Sequence, residues 1–288
     1  MKDLNEILAL ACRIGWEAGD MLQSYYHQTA DERNLDVQYK QSEPVTAADL
    51  AVSQLILDSL QAALGEGDYG YVNEETYKVA EPQPLEAKWV WIIDPLDGTR
   101  DFIEKTGEYA VHIALTKSRR PVLSVVAVPE AKKLYYATLG GGAFAETRDG
   151  VGAKHSVTLQ VSARDRVEDL IVVASRNHRD RRFEYLLKNL PCQQQKAVGS
   201  IGCKIAAIVE QQADIYLSLS NTSAPKDWDL AAPELILTEA GGKFTHFDGT
   251  PLQYNTGDVS QWGGLLGSNG HCHDNLRAAA ESILAEWK

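Results

Sequence analysis

The sequence predicts a chain in two parts, an α+β half followed by an α/β half, meeting near residue 160. Three observations carry this. Residues 4–64 hold two segments with apolar residues at helical spacing. Residues 89–146 turn to short β-branched and aromatic runs separated by turn signals. Beyond 160, strand-like and helix-like segments alternate.

The first helix is expected over residues 4–26, where Leu4, Ile7, Leu8, Ala11, Ile14, Gly15, Ala18, Leu22 and Tyr25 recur every three or four positions. A second covers about 46–64, with Val52, Leu55, Ile56, Leu60 and Ala63 on one face. The run Thr46 to Asp49 opens it as a capping box, Asp standing in for Glu. "WVWII", "YAVHIALT", "PVLSVVAV", "KLYYATL" and "GAFAE" then read as a mostly antiparallel meander, with the aromatics of "KLYYATL" in its core. Residues 147–168 are polar and read as a linker. The second half gives strand 170–175, helices 180–189 and 200–212, strand 214–219, helix 229–240, strand 243–247 and a last helix near 272–286. Residues 1–160 and 161–288 are thus expected to be separate subdomains.

The chain has 288 residues, 44% hydrophobic and 24% charged, the profile of an ordinary globular protein. Its apolar runs are far shorter than the roughly 20 residues that cross a bilayer, so no membrane association is expected. The N-terminal segment mixes acids through its apolar positions and reads as a helix, not a secretion signal. Cys12, Cys192, Cys203 and Cys272 are widely spread, as reduced thiols of a cytoplasmic protein would be. Net charge is 28 − 40 = −12, which argues against nucleic acid as a partner. A small anionic ligand remains compatible if metal ions reverse the local sign.

The chemistry concentrates in acids beside structural punctuation: Asp49, Glu74, Glu75, Asp94, Asp97 and Asp229. In "WVWIIDPLDGTRDF", residues 89–102, a buried strand runs straight into Asp94 and Asp97 and then Gly98-Thr99. By itself "DPLDGT" is also an ordinary surface turn. The strand feeding it favours a site, because ligands gather at strand carboxyl ends. Hard carboxylate oxygens suit Mg²⁺, and N–H groups at a helix start suit phosphate. Asp229, in "KDWDLAAPELILTEAGG", reads as a helix N-cap with a spare oxygen, and Gly241 as the position that ends that helix. Glu74 and Glu75 in "YVNEET" are also compatible with a solvated turn, and Asp49 with a capping acid alone.

Together "WIIDPLDGTRDF", "WDLAAPELILTEAGG", "NEET" and "PVTAAD" resemble, in order and spacing, the motifs of the lithium-sensitive, Mg²⁺-dependent phosphatases. That family holds inositol monophosphatases, fructose-1,6-bisphosphatases and 3′(2′),5′-bisphosphate nucleotidases. The likeness covers nearly the whole chain, and it implies a layered αβαβα sugar-phosphatase-type fold. Arg100-Asp101-Phe102, "GEYAVHIAL", "ASRNH" and "VGSIGCK" are most similar to the bisphosphate nucleotidase branch, of the bacterial CysQ type, and "KDWDLAAPE" to the animal bisphosphate nucleotidases. The resemblance implies hydrolysis of the 3′-phosphate of 3′-phosphoadenosine 5′-phosphate by direct attack of a metal-activated water, with two or three Mg²⁺ per site. It implies metal ligands at Glu74, Asp94, Asp97 and Asp229 and the Leu96 carbonyl. Asp49 and Thr99 would orient or deprotonate the water, with Glu74 beside them in the catalytic set. Gly98 and Thr99 would hold the phosphate, and Ser175, His178, Ser200 and Lys204 the nucleotide. The chain departs from the family at Asn73, often Gly there, and "LSNTSAPK", 219–226, matches no branch.

Lys204 is the best partner for a second phosphate, with Arg100 and Lys226 as further candidates; the last two are equally compatible with solvated surface charge. His271-Cys272-His273 reads as structural, because adjacent side chains at a helix start diverge. An inositol or sugar phosphatase of the same family is the alternative function. A non-catalytic phosphate- or metal-binding regulator is the alternative of a different class. A homodimer is left open.

Overall fold

A computed structural model describes residues 3–28, 38–40, 43–65, 67–77, 83–149, 152–176 and 179–287. The elements in chain order are α1 (Leu4–Tyr26), β1 (Gln38–Lys40), β2 (Glu43–Val45), α2 (Ala47–Leu64), β3 (Tyr69–Asn73), β4 (Trp89–Asp97) and α3 (Thr99–Ile103). The meander follows as β5 (Ala110–Lys117), β6 (Arg120–Val128), β7 (Lys133–Thr138), β8 (Gly142–Arg148) and β9 (Lys154–Thr158). The second half holds β10 (Ile171–Ala174), α4 (Arg181–Asn189), β11 (Gln194–Ala197), α5 (Ile201–Val209), β12 (Ile215–Leu219), α6 (Asp227–Glu239), β13 (Lys243–His246), β14 (Gly264–Ser268) and α7 (His273–Glu286).

Strands β3 to β9 form one seven-stranded sheet in sequence order, antiparallel except for the β3–β4 pair. The second sheet runs β11-β10-β12-β14-β13, parallel across its first three strands and antiparallel after. The strand period sorts side chains between cores. On β4 and β5, Trp91, Ile93, Val111, Ile113 and Leu115 pack with α1 and α2. Val90, Ile92, Ala110 and Ala114 point the other way, into a core shared with α5, α6 and residues of the second sheet such as Val173 and Tyr216. The far face of that sheet packs Val172, Ile215 and Leu266 on Phe183, Leu186 and Leu276 of α4 and α7. These three cores, the middle one filling both faces of the α5–α6 layer, hold together five layers, αβαβα, as the resemblance implies. Because both faces of β4 are covered, its residues from Val90 to Asp97 are all buried.

The structure corrects three readings. Residues 147–168 are not simply a linker: β9 within them is the edge strand of the large sheet, and all five of its residues are exposed. Helix α6 starts before Asp229. Lys226 is its N-cap and Asp229 its third residue, because Asp227 is drawn into the fold, accepting the Asn255 N–H at 2.8 Å and Gln261 Nε2 at 2.7 Å. In "KLYYATL" the two tyrosines serve different cores: Tyr135 is buried in the middle one, and Tyr136, on the opposite face, is only partly buried, packed against the α1–α2 core and stacked on Phe144. The His271-Cys272-His273 reading holds: His273 is tied to Ser268 and Thr245, and Cys272 donates to the Asp165 carbonyl. All four cysteines are unpaired. No helix among the described residues is long and apolar enough to cross a membrane.

Candidate active site

The site forms where β4 loses its register. Asp94 pairs with His112 and Asp97 with Ala110, so three steps along β4 match two along β5. Residues three apart on a regular strand face opposite sides; one extra residue, a β-bulge, turns both carboxylates to the same side. Pro95 sits inside this bulge, where the missing N–H costs no ladder bond. Asp94 also accepts the Leu96 N–H at 2.9 Å.

Two more acids arrive from neighbouring elements. Parallel β3 is in register with β4 up to Asn73–Ile93, so Glu74 emerges beside Asp94 and hydrogen-bonds it. Asn73, the departure from the family pattern, is fully buried; its Oδ1 accepts the Glu75 N–H at 2.9 Å and the Ser53 hydroxyl at 3.1 Å, fastening that turn. Asp229, in the first turn of α6, accepts the Lys226 N–H at 2.7 Å. Asp94, Asp97 and Asp229 each bring an oxygen within 4.8 Å of the others.

Burial pushes Asp94 and Glu74 well above the usual carboxylate range, and the neighbouring acids add to it. Asp97 goes the other way. Burial opposes its ionisation too, but the His112 imidazole, the Ser200 hydroxyl and the Gly202 N–H hold it below its ordinary value. Such a set of crowded oxygens is costly to ionise alone and fits a divalent cation. Glu74, Asp94, Asp97, Asp229 and the Leu96 carbonyl are the groups that would hold it.

Behind this set stands a dyad. The predicted capping box is present: Asp49 Oδ2 accepts the Thr46 N–H at 2.8 Å and the Thr46 hydroxyl at 2.5 Å. Its other oxygen faces the Thr99 hydroxyl at 3.2 Å, and the Leu96 carbonyl lies 3.1 Å from the same hydroxyl. Burial raises Asp49 to about 6. Gly98, between strand and α3, has φ +90°, and a Cβ there would meet the Glu108 carbonyl at 2.9 Å and Ser200 Cβ at 3.2 Å. Gly98→Ala is therefore expected to lose about 1–3 kcal/mol of stability, read as a lowered midpoint in thermal unfolding. An unchanged midpoint would contradict this geometry.

The acids line a cavity of 470 Å³, a size that holds a nucleotide-sized ligand. Gly98, Thr99, Ser175, Ser200 and Lys204 all line it, as do Arg100 and Lys226. Ser200 is almost fully buried and gives its hydroxyl to Asp97 while accepting the Cys203 N–H. Lys204 donates to the Gly199 carbonyl, and burial lowers its pKa. Lys226 Nζ donates to the Ser260 hydroxyl at 2.8 Å. His178 lies outside the described residues. Asp49 is not in the wall; it reaches the site through Thr99.

Sequence reasoning missed several residues here. Arg176 clamps Asp101 at 2.6 Å and Glu108 at 2.8 Å, and Glu108 accepts the Gly199 N–H at 2.7 Å, fixing the turn that carries Ser200. All three lie in stretches already singled out, "ASRNH", "TRDF" and "GEYAVHIAL", but nothing local revealed that they meet. Arg179, Asp180 and Phe183 join the wall, and the unmatched stretch 219–226 supplies most of one side. Asn221 Nδ2 bonds Asp180 at 2.9 Å across it.

The inositol monophosphatase family model matches residues 3–285. The 3′(2′),5′-bisphosphate nucleotidase CysQ of Haemophilus influenzae is 32% identical over 88% of this chain and 87% of its own length. The protein of the same name from Escherichia coli K12 is 32% identical over 86% of this chain and 94% of its own. Among solved structures, a Thermotoga maritima IMPase superposes with a TM-score of 0.79 at 21% identity, covering 98% of this chain and 99% of that one. An inositol monophosphatase from Anabaena does so at 0.76 and 25%, covering 99% and 100%. At such identities the structures speak for the layered fold.

Proposed function

This chain belongs to the inositol monophosphatase family, and on that premise we propose that it is a 3′(2′),5′-bisphosphate nucleotidase. It hydrolyses the 3′-phosphate of 3′-phosphoadenosine 5′-phosphate to AMP and phosphate. Magnesium dependence and lithium sensitivity are general to the family. The observation that carries the reading is one cavity lined by both a carboxylate cluster and several cationic side chains. Glu74, Asp94, Asp97 and Asp229 converge in it, and Arg100, Arg179, Lys204 and Lys226 also line the wall. Such a pocket suits a substrate with two phosphates, and the nucleotidase relatives match over most of the chain.

When bound, two or three Mg²⁺ ions supply Lewis acidity, lowering the pKa of water and offsetting charge on the phosphate. The chain's residues do the rest. The Thr99 hydroxyl has one proton and two acceptors in reach, Asp49 and the Leu96 carbonyl. Passing that proton to Asp49 frees the Thr99 oxygen to accept one from the attacking water. The water oxygen ends on phosphorus and the bond from phosphorus to the ribose 3′-oxygen breaks; the departing oxygen takes a proton from solvent water, and Asp49 returns the one it received to solvent, so no net proton is gained or lost by the chain. Gly98 and Thr99 would hold the reacting phosphate and Ser175, Ser200 and Lys204 the nucleotide, with Lys204 and Arg100 the candidates for the second phosphate. The four unpaired thiols support a cytoplasmic setting.

The test is phosphate release from 3′-phosphoadenosine 5′-phosphate, inositol 1-phosphate and fructose 1,6-bisphosphate, each with Mg²⁺ and with chelator. We expect kcat/KM for the nucleotide to exceed the others by roughly a hundredfold or more, and chelator to abolish release. A preference for inositol 1-phosphate would overturn the substrate; release untouched by chelator would overturn the metal site.

A further inference from the structure

His112 lies on β5 directly opposite Asp94, with no exposed surface. It shares its face of the strand with Ala110 and Ala114, two small residues that let α6 approach closely. Its ring spans two oxygens from different layers. Nε2 lies 3.2 Å from Asp97 Oδ2, an ion-pair contact without the alignment of a hydrogen bond, and Nδ1 lies 3.3 Å from the carbonyl of Trp228, the residue before Asp229. The space is made for it: a Cβ on Gly202 would fall 2.4 Å from Nε2. The same Gly202 donates its N–H to Asp97 Oδ2 at 2.9 Å, and Ser200 donates its hydroxyl there too. Asp97 Oδ2 is thus fully engaged by protein groups, which leaves its other oxygen to a ligand.

We propose that His112 is a positioning residue, a buried strut that sets the distance between Asp97 at the end of β4 and Asp229 at the start of α6. Those two acids come from opposite halves of the chain and from different layers. Neither backbone pairs with the other, so their spacing depends on what is wedged between β4 and α6. A ring with a polar atom at each end fixes both the separation and the orientation; an apolar side chain of the same bulk would fix only the separation. Partners behind metal-ligating side chains commonly alter metal affinity 10–100-fold when removed. The inference rests on the metal-site reading above and is independent of which phosphate ester is the substrate.

Three substitutions separate the contacts. His112→Leu fills the space and keeps neither polar atom. His112→Asn puts an amide near the Nδ1 position and keeps the Trp228 contact. His112→Gln reaches the Nε2 position and keeps the Asp97 contact. The readout is Mn²⁺ binding to chelator-stripped protein, followed by electron paramagnetic resonance, with circular dichroism melts to confirm folding. Mg²⁺ half-saturation and kcat at saturating metal are measured beside it. His112→Leu is expected to weaken Mn²⁺ binding roughly 10–100-fold and to raise Mg²⁺ half-saturation by a similar factor. The kcat at saturating metal should stay close to wild type. His112→Gln and His112→Asn, each keeping one end of the strut, should both fall between wild type and His112→Leu. Mn²⁺ binding by His112→Leu equal to wild type would overturn the proposal. So would equal losses in Leu and Gln, which would make the role one of packing alone. Failure of the wild type to bind Mn²⁺ would sink the metal site and the strut with it, whereas failure of the nucleotide assay alone leaves this titration untouched.

Discussion

Asp94→Asn is expected to lower Mg²⁺-dependent phosphate release by about 10³-fold. The substitution is nearly isosteric, and the Asn oxygen can still accept the Leu96 N–H that Asp94 holds at 2.9 Å. What disappears is one negative charge at the centre of a cluster with Glu74, Asp97 and Asp229. The metal-free protein should respond in the opposite sense. Burial and the surrounding acids oppose ionisation of Asp94, so removing the acid relieves the fold, and the metal-free mutant should melt higher than metal-free wild type. The second measurement is therefore thermal unfolding with and without Mg²⁺. A ligand at a hundred times its dissociation constant stabilises by about 2.7 kcal/mol; wild type should show a rise of this order and Asp94→Asn little. Undiminished release, or a full Mg²⁺-dependent rise in the mutant, would remove Asp94 from the metal set.

Asp49→Asn should cut kcat by about 10²–10⁴-fold, the range for losing a positioned general base. Mg²⁺ half-saturation should change little, because Asp49 stands behind Thr99 and not among the converging acids. The split between kcat and metal affinity is what distinguishes it from Asp94→Asn. Its stability signature depends on pH. Burial raises Asp49 from 3.8 to about 6, so across that window the native state holds the proton more tightly than the unfolded chain. Stability of the metal-free protein from this group is present at low pH and lost as pH rises, by roughly 3 kcal/mol once pH exceeds 6. Asn carries no such loss and can keep the bonds from Thr46. Metal-free Asp49→Asn should thus melt above wild type at pH 8 and level with it near pH 3.5. A mutant less stable than wild type at pH 8 would mean that the Asp49 charge is compensated in place.

Much of this was legible from short-range patterns. The helices at 4–26 and 46–64 announce themselves by period, and the Thr46–Asp49 box by two residues three apart. Six strands were missed: the short β1, β2 and β3 before residue 89, β9 and β11, which are exposed at every position, and β14, "GLLGS", which is a strand because β12 and β13 pair on either side of it. Asp229 was read as a cap because Asp before an apolar run is a cap signal; contacts from Asn255 and Gln261 to Asp227 moved the helix start. Arg176 and His112 gave no signal of their roles, since their partners lie 75 and 116 residues away.

The sequence by itself therefore determined the acids and the periodic helices and strands, because both are written within a few residues through period, caps and turn formers; the order of the layers came from the family resemblance. Only the tertiary structure decided that Asp94 and Asp97 point the same way, through a bulge defined by pairing with β5. It alone decided that Glu74 and Asp229 join them, and that Asp94 is pushed up while Asp97 is held down. Burial and charge coupling act across space between residues far apart in the chain, and no local pattern encodes them.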